Sequence, residues 1–128
     1  MKPILVIFLG GGIGSVCRYL VGLSITRQLN TAFPTIAAFP AGTFVVNITG
    51  CFLIGLFYGI ADRHSWLNAD WRLFLITGIC GGYTTFSSFS NESILLMRNG
   101  YFGYFLLYIT LSVVLGLLAT IGGAAVAR

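Results

Sequence analysis

The chain has 128 residues, of which 57% are hydrophobic and only 8% charged. A soluble domain carries about a quarter charged residues, so the composition excludes one and reads as an all-α membrane protein with a single domain, 1–128. The net charge of +4 comes from seven basic and three acidic residues. That is too few for a nucleic-acid surface and suits loops that anchor to lipid headgroups.

Four apolar segments are each long enough to cross about 30 Å of hydrocarbon with about 20 residues. They run over roughly 4–23, 39–61, 71–97 and 101–127. The continuous runs exclude the alternating pattern of barrel strands. The start, Met1-Lys2-Pro3, imitates a signal peptide. The apolar run continues past Arg18 to Leu23 without a small-residue cleavage site, which makes it a membrane helix. Cys17, Cys51 and Cys80 all fall within apolar runs. Their odd number and lack of metal-ligand spacing argue against a disulfide framework or a metal cluster.

The first helix places Gly10, Gly14, Arg18 and Gly22 at steps of four, on one face. The glycines make a small-residue contact strip. Arg18 therefore points away from lipid, unless it snorkels to a headgroup; otherwise its role is structural or anion-attracting, near an aqueous vestibule. The second helix puts Thr43, Asn47 and Gly50 on one face. An amide there either joins helices or lines a pathway, and spacing leaves both open. Trp66 and Trp71 suit the interface before the third helix.

The third segment contains Gly78-Ile79-Cys80-Gly81-Gly82-Tyr83-Thr84-Thr85-Phe86-Ser87-Ser88-Phe89-Ser90-Asn91-Glu92. Its three glycines, six hydroxyl groups, amide and carboxylate must face protein, an ion or water, because hydrocarbon satisfies none of them. The glycines permit a break at Gly81-Gly82, after which Thr84 or Thr85 caps a new helix carrying Phe86. Carbonyls ending the first half suit a cation, and amides starting the second suit an anion. The fourth helix carries Tyr104, Tyr108, Ser112, Gly116 and Thr120 at steps of four, which reads as a hydroxyl-lined track.

Near the break the donors are mostly neutral: Asn47, Thr85, Ser87, Ser88, Tyr108 and Ser112. Phe86 and Phe89 sit three apart, and a ring edge carries partial positive charge that suits a small anion, although packing or lipid contact is the commoner reason for two phenylalanines in a membrane helix. Glu92 is the only acid inside a span. There is no nucleophile–base pair, and the single histidine, His64, lies in a loop, so catalysis is not expected. One membrane side carries Lys2, Arg63, Arg72 and Arg128, and the other Arg27 and Arg98. Such a weak bias permits insertion both ways, and two opposed copies then pair like the inverted repeats of larger transporters.

Three segments resemble the CrcB/Fluc family of small fluoride channels. They are Gly10-Gly11-Gly12-Ile13-Gly14-Ser15-Val16-Cys17-Arg18-Tyr19, Gly42-Thr43-Phe44-Val45-Val46-Asn47 and Gly81-Gly82-Tyr83-Thr84-Thr85-Phe86-Ser87-Ser88-Phe89-Ser90. The resemblance implies an antiparallel, dual-topology homodimer in the bacterial inner membrane that conducts fluoride passively and limits its toxicity. It implies that Phe86 and Phe89 offer ring edges to fluoride and that Asn47 is a pore amide. Tyr108 and Ser112 match a polar track, with Thr85, Ser88 and Glu92 nearby, and Arg18 matches an arginine of the first helix. Gly81 and Thr84 match residues whose carbonyls hold a structural sodium ion. Ser88 stands where threonine is expected, and Ser15 where alanine is common; both changes are small. The rival reading is a small proton-coupled multidrug exporter of four helices. That class relies on an acid in its first helix, where this chain has Arg18.

Overall fold

The computed structural model describes residues 1–63 and 67–127. His64, Trp66 and Arg128, which the sequence reading places in a loop, at an interface and at a chain end, lie outside them. The described residues are almost entirely helical and form a multi-pass bundle. Helix α1 spans Lys2–Ala32 and α2 spans Ala41–Arg63. A short 3₁₀ turn, Pro34–Ile36, joins them. The third segment is in two pieces. Its first half, α3, covers 69–83 as Ala69–Arg72, a π-helical stretch Leu73–Cys80 and Gly81–Tyr83. Its second half, α4, is Phe86–Arg98, and the last helix, α5, is Phe102–Val126. Helices α1, α2 and α5 are each long and apolar enough to span a membrane.

Helix α1 extends nine residues past the expected end at Leu23, to Ala32. At 1.5 Å per residue its 31 residues measure about 46 Å, well beyond a hydrocarbon layer of about 30 Å. Ser24, Thr26, Arg27, Gln28 and Asn30 continue the helix although they are polar, and Thr31 Oγ1 and the Phe33 amide bond back onto its last turn.

Glycine governs the packing of α1 on α3. A methyl group on Gly10 would lie 2.6 Å from the Phe74 carbonyl, and one on Gly14 would strike the Ile79 carbonyl. From the facing side, Gly82 meets the carbonyl of Gly11 in the same way. The two backbones touch with no side chain between them, the close approach that small residues allow in membranes. Helices α2 and α5 pack likewise, Gly55 on the Thr120 carbonyl and Gly123 on that of Phe52.

The break is not at the glycines. Gly81 is helical, at φ −63°, ψ −38°, and the chain leaves the helix at Thr84 (φ −81°, ψ 156°) and Thr85 (φ −148°, ψ 114°). The freedom of Gly81-Gly82 goes unused, and Gly82 serves contact with α1 instead. Two β-branched residues favour the extended form, and their hydroxyls bond the local backbone. Thr84 Oγ1 and the Thr84 amide both donate to the Cys80 carbonyl, at 2.9 and 3.0 Å. Thr85 Oγ1 accepts from the Ser88 amide at 3.2 Å and caps α4.

The expected charge grouping also has structural contacts. Lys2 pairs with Asp70, so the start of α1 and the start of α3 share an end of the bundle. Arg72 donates to the carbonyls of Ala61, at 2.7 Å, and Leu67, and so binds the end of α2 there too.

Candidate functional site

The extended pair Thr84-Thr85 divides two grooves. The first, of about 300 Å³, is lined by Asn47, Gly50, Thr84, Thr85, Phe86, Phe89 and Ser112, among others. The second, of about 410 Å³, takes in Ser15, Arg18, Thr43, Thr85 and Ser88. Thr85 belongs to both.

In the aromatic groove, Phe86, the first residue of α4, is 79% exposed. Its ring centre lies 5.8 Å from that of Phe89, which lies 5.1 Å from Tyr108. The Ser112 hydroxyl oxygen is buried and has no partner among the described residues. A hydroxyl left without a partner in such a place costs about 1–3 kcal/mol unless something passing through meets it. Cys51 also lines this groove and was not anticipated.

Tyr108 is fully buried, ringed by Phe39, Phe44 and Phe89. Its hydroxyl donates to Glu92 Oε2 at 2.8 Å, and Thr43 Oγ1 donates to Glu92 Oε1 at 2.7 Å. The carboxylate is thus shared between α2, α4 and α5. Sequence spacing had set Thr43 beside Asn47 on one face, but gave no sign of its bond to Glu92. The ladder on α5 is shorter than its spacing suggests. The Tyr104 hydroxyl donates to the Thr35 carbonyl near the 3₁₀ turn, and the Thr120 hydroxyl turns back to the Gly116 carbonyl. Tyr108 and Ser112 remain on the site side.

On the α1 side, Arg18 Nη1 donates to the Thr84 carbonyl at 3.3 Å, and the Ser15 hydroxyl reaches the Gly82 carbonyl at 3.4 Å. Ser88 meets Thr85 Oγ1 at 3.1 Å. Arg18 therefore faces the bundle, and the snorkelling orientation is not adopted.

Asn47 is fully engaged with the break: Nδ2 donates to the Thr85 carbonyl at 3.2 Å, and Oδ1 accepts from the Thr85 amide at 2.9 Å. The Thr85 amide would otherwise reach the Gly81 carbonyl four residues back. Gly81 is exposed, and with the Thr85 amide taken by Asn47 its carbonyl does not receive that helical bond. The Thr84 carbonyl keeps one lone pair beside Arg18. Neutral backbone carbonyls are the donor type that suits a monovalent cation. Tyr83, whose hydroxyl meets Thr49 Oγ1 at 2.9 Å, anchors the end of α3 against α2.

The family of CrcB-like protein, Camphor Resistance (CrcB), matches residues 5–124. The chain belongs to this family. Proteins named fluoride-specific ion channel FluC are similar over nearly their whole length. The one from Phocaeicola vulgatus is 54% identical over 123 residues, 96% of each chain. That of Flavobacterium psychrophilum is 50% identical over 128 residues, all of this chain and 98% of its own. That of Bacteroides fragilis is 47% identical over 123 residues, 96% of this chain and 94% of its own. The family match takes in both grooves, the break and the Glu92 cluster.

Proposed function

We propose that this chain is a passive fluoride channel that lets the ion leave the cytoplasm and so lowers its toxicity. The observation that carries the reading is the aromatic groove at the break, together with relatives named fluoride-specific ion channels that match almost the whole chain. Fluoride crosses membranes as its neutral weak acid and loses the proton inside, where the anion is trapped. A neutral, uncharged path then suffices, because the gradient drives exit. Along that path Phe86 and Phe89 offer positive ring edges, while Ser112, Thr85 and Ser88 offer hydroxyl donors. Arg18 raises the local anion concentration without entering the narrow part. Tyr108 and Glu92 hold the far wall.

The working unit in this reading is an antiparallel homodimer of dual topology in the bacterial inner membrane. It is supported by the weak basic bias and by the exposure of Phe86, which a partner copy would cover. A sodium ion bound by the Gly81 and Thr84 carbonyls would supply a fixed positive charge between the two halves of the break. No bond-making step is asked of any residue. Ion efflux from liposomes containing the purified protein tests the reading: fluoride should leave far faster than chloride. Equal rates for the two ions, or none for either, would overturn it.

A further inference from the structure

Asn47 spends both ends of its carboxamide on the backbone of one residue. A helical residue cannot accept this pairing, because its N–H and C=O point to opposite ends of the helix axis. An extended residue can, since both groups point to the same side, as in the pairing of antiparallel strands. Thr85, at φ −148° and ψ 114°, has that conformation. We infer that Asn47 is a positioning residue: its side chain stands in for a neighbouring strand and holds Thr85 extended. Through Thr85 it draws the amide away from the Gly81 carbonyl and sets the placement of Phe86 at the start of α4.

The break is pinned on both sides. Arg18 of α1 holds the Thr84 carbonyl, and Asn47 of α2 holds Thr85. Behind Asn47, Gly50 leaves room for the Thr84 methyl group and the Tyr83 ring. The inference rests on the channel reading only for its consequence in flux, not for the clamp.

The test combines amide hydrogen exchange at Thr85, followed by NMR on full-length protein labelled at threonine, with fluoride efflux. In Asn47→Ala, exchange at Thr85 should rise about tenfold, as expected when a side chain's hydrogen bonds to a local segment are lost, and flux should fall. Phe86→Ile should reduce flux with Thr85 exchange unchanged. Asn47→Asp keeps the acceptor for the Thr85 amide, so Thr85 should remain protected even if Asn47→Ala fails to fold. Unchanged Thr85 exchange in Asn47→Ala, or a loss of Thr85 protection in Asn47→Asp as large as in Asn47→Ala, overturns the inference. Wild-type protein that passes no fluoride overturns the channel reading instead, and the exchange experiment still decides the clamp.

Discussion

The two halves of the broken helix are held in opposite ways. Helix α3 lies backbone to backbone against α1, with Gly10, Gly14, Gly78 and Gly82 clearing side chains from the points of closest approach. Helix α4 begins with a phenylalanine that is 79% exposed and is tied to its neighbours mainly by polar contacts. These are the Thr85 cap and the Glu92 cluster, with the Phe89–Tyr108 ring pair packed beside them. The first half is fixed by contact at a distance that allows no substitution. The second is fixed by orientation, with free surface at its start. In the proposed channel, the first kind of support suits a wall and the second suits groups that would meet the ion. The difference assigns the two halves different work.

The contrast predicts unequal costs for similar changes. The largest effect should come from a side chain placed in the α1–α3 seam. Gly14→Val would drive its methyl groups into the Ile79 carbonyl, where backbone cannot yield. A cost of about 3 kcal/mol or more is expected, and the protein should be lost from the membrane fraction. Gly81→Ala lies across the seam in α3, only two residues past Ile79, yet its nearest neighbour would be the Ile76 carbonyl at 3.9 Å. That chain should fold normally, as judged by yield and gel filtration. Loss of both would erase the distinction between the seam and the exposed edge of α3.

On α4 the order of effects should reverse, with function hit before fold. Phe86→Ile and Phe89→Ile retain apolar bulk but lose the ring edge. Fluoride flux should fall by about tenfold or more in at least one, the loss of one favourable contact of about 1.4 kcal/mol, while the protein still purifies intact. Wild-type flux in both would return the rings to packing.

These same elements show what the sequence could and could not reveal. The four segments, the glycine strip of α1 and the polar run near mid-membrane were legible, because apolar length and steps of four report directly on helices. The place of the break was not. Glycine marks where a chain is free to bend, but here β-branched Thr84 and Thr85, with hydroxyls that bond their own backbone, bend it. The polar tail of α1 misled in the other direction, since its composition ends the membrane span but not the helix. The contacts of Glu92 with Thr43 and Tyr108 join residues 49 and 16 positions away. No local pattern encodes which hydroxyl will meet which carboxylate.

The Glu92 cluster offers a smaller effect that sharpens the view of α4. Tyr108→Phe removes one donor to the carboxylate and leaves the surrounding rings in place. Thr43 still donates to the other oxygen, so a loss of about 1–2 kcal/mol is expected, read as a lowered unfolding temperature. Thr43→Val in the same background should add to it more than either change alone suggests, because the carboxylate would then be left without either donor. Strict additivity would mean that the two hydroxyls act independently.

The smallest effect should come from the cap itself. Thr85→Ala deletes the oxygen that accepts from the Ser88 amide, and a lost cap costs about 1 kcal/mol. Thr85→Ser keeps that oxygen and should be close to neutral. Neither change touches the Thr85 amide or carbonyl, so the bonds to Asn47 survive in both. If polar orientation of α4 depends chiefly on the clamp, Thr85→Ala should lower stability slightly, measured by thermal unfolding in detergent, while retaining most of its fluoride flux. If it depends chiefly on the cap, flux in Thr85→Ala should fall as far as in Asn47→Ala, with Thr85→Ser restoring it. The comparison between these two small variants separates the side chain that starts α4 from the backbone that aims it.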